Sequence, residues 1–205
     1  MRITDQTVLL LNCTLKHAPE DSSCQLMAEQ LLGGFAGRGA DGDIVRVVDL
    51  DVAPGVEADM GEGDAWPALR ARIIDADILV IITPTWLGHM SSVAQRVLER
   101  LDAELSETDD EGRLLTFGKV AGVGVVGNED GAHHVSAELF QALDDVGFTV
   151  PAQGVTYWVG EAMQAVDYKD VSPTPEKTAG TTQVLARHAS HLARLLKNSP
   201  YPAQD

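Results

Sequence analysis

The sequence predicts an α/β fold built on a doubly wound parallel sheet of five strands, arranged in three layers. Three observations predict it. Short apolar runs without polar alternation recur along the chain, as expected for strands buried on both faces. Stretches with helical periodicity separate these runs. The two patterns alternate through all 205 residues, with no internal repeat and no low-complexity segment. A single domain of 1–205 is expected, long enough to bury a full three-layer core.

The elements follow in order. Residues 7–11 (TVLLL) form the first strand. Residues 22–38 read as a helix with Leu26, Met27, Leu31 and Leu32 on one side; Gly33 and Gly34 weaken its end, and Gly37 and Gly39 stop it. A second strand spans 43–50 (DIVRVVDL), and a Gly- and Asp-rich loop with Pro54 covers 51–63. A short helix takes 66–75. Residues 76–83 (ADILVIIT) carry the strongest strand signal, and Pro84 is expected to end it. The helix over 91–105 turns Val93, Val97, Leu98 and Leu101 inward. Residues 119–127 (KVAGVGVVG) are a glycine-laced central strand, and 132–146 a helix with Leu139, Phe140 and Leu143 on its apolar face. A fifth strand begins at Thr149, breaks at Pro151 and resumes over 155–158. The closing helix, 178–197, carries Val184, Leu185, Leu192, Leu195 and Leu196, and 198–205 is a tail.

Two doubly wound arrangements are common at this length: the flavodoxin-like strand order, 2-1-3-4-5, and a truncated dinucleotide-binding fold. In both, a ligand sits beyond the carboxyl ends of the strands, where the strand order reverses. For the flavodoxin-like order that point lies between the first and third strands. The loops 12–23, 83–91 and 127–134 are therefore where a ligand is expected.

Composition narrows the ligand. Hydrophobic residues at 44% and charged residues at 22% exclude a disordered chain. With 15 Lys and Arg against 31 Asp and Glu, the net charge is -16, a field that repels nucleic acid and anionic membrane. A phosphate-bearing ligand must then be held locally, by backbone N–H groups and one or two placed cations. The acidic runs at 41–64 and 107–111 read as solvated loops. No apolar run approaches the ~20 residues of a membrane span, and no signal peptide is evident, so a cytoplasmic location is expected. Cys13 and Cys24 lack a CxxC spacing and read as two reduced thiols, with no zinc site and no disulfide framework.

The first loop has neither GxGxxG nor GxxxxGK[ST]. It has hydroxyls instead. Thr14 follows the strand, and Ser22 and Ser23 open the next helix, whose unpaired N–H groups suit a phosphate. Lys16 can supply charge. The alternative is that Asp21 or Ser22 simply caps the helix. In the second loop, Pro84 and Gly88 shape a turn and Trp86 offers an aromatic face to a flat ring, or else anchors packing. In the third, Gly127 and Gly131 bracket polar residues and permit close backbone approach. His133 and His134 open the following helix with diverging rings and no evident partner set, so no metal is expected there.

These loops resemble the NADPH-dependent FMN reductase and WrbA-type multimeric flavodoxin family, over roughly residues 8–196. The family's G-S-x-R…S-N-T is met by Cys13-Thr14-Leu15-Lys16 and Ser22-Ser23-Cys24. Its P-x-Y-x-G-x-x-S…K-x-x-x-D is met by Pro84-Thr85-Trp86-Leu87-Gly88-His89-Met90-Ser91, with Asp102 near the final position, and Gly127-Asn128 matches the third loop. Thr14, Lys16, Ser23 and Cys24 stand where Ser, Arg, Asn and Thr are typical, and Trp86 replaces Tyr; a thiol is a poor donor. The compact cysteine motif of iron–sulfur relatives is missing, so no cluster is expected. The resemblance implies FMN held by Thr14, Lys16, Ser22, Ser23, Cys24, Pro84, Thr85, Trp86, Leu87, Gly88, Gly127, Asn128 and Gly131. It implies NADPH or NADH as co-substrate, a quinone, a flavin or a similar small-molecule electron acceptor, and a homodimer or homotetramer.

The flavin would do the redox chemistry, so the resemblance demands no catalytic side chain. Tyr157, Trp158, Met163 and Tyr168, in the long 151–177 segment, are candidates for a subunit interface; Tyr157 and Trp158 could equally flank the flavin. Two alternatives stand beside the reductase: a flavodoxin-type electron carrier without nicotinamide turnover, and a cofactor-free interaction module of the same fold.

Overall fold

Residues 6–203 are described by the computed structural model. They run β1 (Gln6–Asn12), α1 (Ser23–Ala36), β2 (Ala40–Arg46), α2 (Trp66–Asp75), β3 (Ile78–Trp86), β4 (His89–Met90), α3 (Ser92–Leu101), β5 (Val120–Val126), α4 (Ala132–Asp145), β6 (Val155–Trp158) and α5 (Glu176–Asn198). The main sheet is parallel, in the order β2-β1-β3-β5-β6, with β4 paired to β3 alone. This is the flavodoxin-like order expected from the sequence, with one short strand added.

Strand alternation builds the layers. Leu9, Leu11, Leu79, Ile81, Val123 and Val125 face α2, α3 and α4, against Trp66, Ile73, Val97 and Leu139. Val8, Leu10, Ile78, Val80 and Ile82 face α1 and α5, against Met27, Leu31, Phe35 and Leu185. Both faces of each central strand are buried, which is why these strands are apolar without interruption.

Three boundaries and one buried face depart most from expectation. β2 occupies Ala40–Arg46 rather than 43–50, and a 3-10 turn takes Val47–Asp49. Its pairing with β1 ends at Asn12 opposite Arg46, where β1 itself ends. Pro84 does not end β3; it pairs opposite Val126, and Thr85 and Trp86 continue antiparallel to Met90 and His89. The proline is tolerated because β1 has already stopped beside Ile82, so β3 has become an edge on that side. The 91–105 helix is α only to Leu101, and Asp102–Ser106 tighten into a 3-10 turn. The buried face of α5 is Thr178, Thr182, Leu185, Ala186, Ala189, Ser190 and Ala193, while Leu195 is exposed.

The acidic loop after β2 is not wholly solvated. The Asp64 side chain is buried and accepts hydrogen bonds from the amides of Ala53, Met60 and Trp66. Arg100 of α3, also buried, donates to it at 2.8 Å and to the carbonyls of Ala53 and Glu57. The guanidinium lies 5.3 Å from the centre of the Trp66 ring. The Arg100 hydrogen bond holds the Asp64 carboxyl below the usual carboxylate range, against the opposing effect of burial.

Candidate functional site

Three loops leave the carboxyl ends of β1, β3 and β5 on the same edge of the sheet. The first is shaped by its own polar groups. Asn12 is fully buried; its side-chain oxygen accepts from Thr14 N at 3.1 Å and its amide donates to Gln25 at 2.8 Å. Thr14 Oγ1 accepts from Lys16 N, and Lys16 Nζ donates to the Asp21 carbonyl. Arg46, from the end of β2, donates to the carbonyls of Lys16 and Glu20 and so braces the loop from outside.

Ser22 is the N-cap of α1, its hydroxyl accepting from Gln25 N at 3.4 Å. Capping and ligand binding need not compete. Ser22, Ser23 and Thr14 are each engaged here as acceptors of one backbone N–H, and a hydroxyl still has its own hydrogen to donate. The first-turn amides of Ser23 and Cys24 have no carbonyl one turn back to receive them. Cys24 is buried; burial pushes its thiol up to about 12, so it is a neutral, weakly polar wall at physiological pH.

The second loop is a hairpin. Leu87 (φ 52°) and Gly88 (φ 80°) form its two-residue tip between Trp86 and His89. Such a primed turn requires positive φ at both positions, a conformation that glycine adopts freely and leucine rarely does. The tip is fastened to the third loop. Leu87 N donates to Glu129 Oε1 at 3.0 Å. A Cβ on Gly131 (φ 138°) would lie 2.7 Å from Gly88 Cα, so only glycine permits this approach. At the base of the hairpin Ser91 caps α3 and donates to the Cys13 carbonyl at 2.6 Å, joining the first loop to the second.

The 151–177 segment closes the remaining side. Met163 N donates to the Asn128 carbonyl at 2.7 Å, and Asn128 Nδ2 donates to Asp167 at 3.4 Å. Tyr168 is buried, donates to Gln30 of α1 at 2.6 Å, and packs its ring 5.4 Å from that of Trp158. Tyr168 is therefore internal to the chain and not available to a subunit interface. Tyr157 points to the opposite face of β6, where its hydroxyl meets His133 Nε2 at 3.1 Å.

Between these walls lies a cleft of about 120 Å³. Thr14, Lys16, Ser22, Ser23, Cys24, Pro84, Thr85, Trp86, Gly127 and Asn128 all line it. Leu87, Gly88 and Gly131 do not; they form and anchor the hairpin that carries Trp86. Sequence reasoning did not assign Leu15, Val126, Asp167 and Tyr168 to the lining, and left Trp158 open. Lys16 is the one cation among the described residues that line it. Thr85 Oγ1 is buried with no hydrogen-bond partner among the described residues. An orphaned hydroxyl in a cleft wall is costly unless a ligand satisfies it, so the lining fits a polar, ring-bearing ligand.

Residues 7–164 match the family described as NADPH-dependent FMN reductase. The chain belongs to this family. A protein from Streptomyces davaonensis, 8-demethyl-8-aminoriboflavin-5'-phosphate synthase, is 32% identical over 203 residues, which span 94% of this chain and 79% of that protein. A Mycobacterium bovis protein named divalent metal cation transporter MntH is 37% identical over 196 residues, or 92% of this chain; the match spans only 29% of that protein. The crystal structure of RosB with bound 8-demethyl-8-formylriboflavin-5'-phosphate superposes with a TM-score of 0.89 at 32% identity, covering 96% of this chain and 82% of that one. The flavoenzyme NAD(P)H:(acceptor) oxidoreductase FerB from Paracoccus denitrificans shares the fold, at 21% identity and a TM-score of 0.61 over 96% of this chain and all of its own. Among the described residues, no helix of this FMN reductase family member is long and apolar enough to cross a membrane.

Proposed function

We propose that the chain binds FMN in this cleft and acts as an NAD(P)H-dependent oxidoreductase; FMN held there would supply the redox chemistry between reduced nicotinamide and a quinone, a flavin or a similar small acceptor. The observation that carries the reading is the convergence of the three strand-end loops on one cleft, at the β1–β3 reversal, with the Thr85 hydroxyl unsatisfied in its wall.

The chain's own residues bind and orient. The hydroxyls of Thr14, Ser22 and Ser23, the first-turn amides of α1 and the Lys16 ammonium hold the phosphate. Pro84, Thr85, Trp86, Gly127, Asn128 and Trp158 hold the ring, and Leu87, Gly88 and Gly131 keep the hairpin in place behind Trp86. Among the described residues no histidine lines the cleft, and its one carboxylate there, Asp167, accepts from Asn128. The side chains thus exclude water and fix geometry, and no general base is assigned. A homodimer or homotetramer belongs to the same reading: Leu87 and Met163, 91% and 88% exposed beside cleft residues, supply apolar surface for it. So do a cytoplasmic location and partners that include neither nucleic acid nor membrane.

Titration with FMN, followed by NADPH or NADH oxidation with a quinone acceptor, tests the proposal. No binding at micromolar FMN overturns it in favour of an interaction module. Binding without nicotinamide oxidation favours a carrier. A second reading is supported by the 32% identity to a synthase acting in riboflavin-phosphate modification: the flavin phosphate is substrate, not cofactor. Mass analysis of the flavin recovered after turnover separates the two, an altered mass favouring the second.

A further inference from the structure

We propose that His89, His134 and Glu138 form a binding site for a borderline divalent transition ion of the zinc type, which clips the β3–β4 hairpin to α4. This site is separate from the cleft and goes beyond the redox reading.

Neither the His133-His134 pair nor any local spacing suggests a metal. The fold supplies the missing ligand. His89 sits on β4, 45 residues before His134, and the two rings meet edge to face with centres 5.0 Å apart. His134 Nε2 lies 3.4 Å from His89 Nδ1 and 3.4 Å from Glu138 Oε1. Glu138 is one helical turn after His134, so both project from the same face of α4. One atom from each of the three residues falls within 4.8 Å of the others.

These spacings suit coordination. Zinc bonds of about 2.0–2.1 Å at a tetrahedral angle put neighbouring ligand atoms roughly 3.4 Å apart. Two imidazoles and one carboxylate match zinc, copper or nickel better than magnesium or calcium, which prefer all-oxygen sets. Three protein ligands leave the fourth position to water. His133 is excluded, because its Nε2 is engaged with Tyr157.

The frame is already rigid. The Gly88–Gly131 approach and the Leu87–Glu129 hydrogen bond hold the two ligand-bearing elements together independently of any ion. His89 is also the antiparallel partner of Trp86, a wall of the cleft. An ion here would stiffen the support of that wall. The alternative is a purely polar contact, one proton on His134 Nε2 shared between His89 and Glu138.

Titrating the full 205-residue chain with Zn²⁺, in competition with a chelating indicator, decides between them. The expected result is one saturable ion per chain, with no competition from Mg²⁺. His89→Gln and His134→Gln each weaken it by more than about tenfold, at least the cost of losing an outer-shell partner, while His133→Gln leaves it unchanged. All three positions are at the surface, and circular dichroism confirms that each variant is folded. Absence of saturable binding, equal binding in the His89 and His134 variants, or loss in the His133 variant instead overturns the proposal.

Discussion

Thr85 is the residue whose environment is hardest to explain without a ligand. Its hydroxyl is buried with no partner among the described residues, whereas that of Thr83, two residues earlier in β3, accepts from Ser91 N at 3.0 Å. Thr85→Val removes the orphan without changing shape, so the empty protein should be as stable as the parent or more so. FMN affinity should fall by about 1–1.5 kcal/mol, roughly tenfold, the worth of one net hydrogen bond. Equal FMN affinity in the two proteins would show that the hydroxyl makes no ligand contact. Lys16 is argued differently, since it supplies charge. Lys16→Met should weaken FMN by about 1.5–3 kcal/mol, as expected for a bond to a charged group, and leave riboflavin binding unchanged. Parallel titrations with the two flavins check this, because only one carries the phosphate.

At the scale of elements, two tethers matter: one holds the hairpin that frames the cleft, the other the 51–65 loop after β2. The hairpin depends on glycine at 131. Gly131→Ala places a methyl against the Gly88 backbone at a positive φ and should cost about 1–3 kcal/mol, measured by thermal melting. Loss of FMN affinity should accompany it, because Trp86 rides on the same hairpin. The 51–65 loop depends on Asp64 and Arg100. Asp64→Ala leaves a buried arginine without its counter-charge and should cost about 3–5 kcal/mol. The sign of the pH dependence follows from the lowered Asp64 pKa. The stabilisation is complete above the unfolded aspartate value of 3.8 and is lost as pH falls through the folded value below it. The stability gap between parent and Asp64→Ala should thus be constant near neutrality and narrow only under acid conditions. A gap that persists unchanged at low pH would mean that packing, not charge, holds the loop.

The molecule as a whole carries a net charge of -16, and Lys16 is the one cation among the described residues lining the cleft. Reduced nicotinamide dinucleotides are polyanions, so their approach is opposed by the long-range field. Salt screens that field over a Debye length of about 10 Å at 0.1 M. If the proposed turnover occurs, kcat/KM for NADPH should rise with ionic strength at the low end, the reverse of electrostatically steered enzymes. A rate that falls with added salt would place an attractive local field at the entrance. FMN at a hundred times its dissociation constant should stabilise the fold by about 2.7 kcal/mol, visible as a raised Tm.

Much of this architecture was legible in the sequence, because it depends on local periodicity. Uninterrupted apolar runs marked β1, β3 and β5, the helical repeats marked α1 to α5, and the α2 bounds matched. The strand-order rule then located the cleft, since ligand loops follow strand ends whatever the side chains are. Other features rest on contacts between distant residues that no local pattern encodes. Proline lacks a donor, so Pro84 reads as a stop in the sequence, but whether a donor is needed depends on where the neighbouring strand ends. Tyr168 closes the cleft because the 151–177 segment folds back onto α1. Arg100 reached Asp64, and His89 reached His134, only because β3, β4 and the surrounding helices pack as they do. The sequence by itself determined the class of fold and the loops that form the site. Tertiary structure decided which groups in those loops are satisfied, which have no partner among the described residues, and which histidine meets which, because satisfaction is a property of neighbours in space.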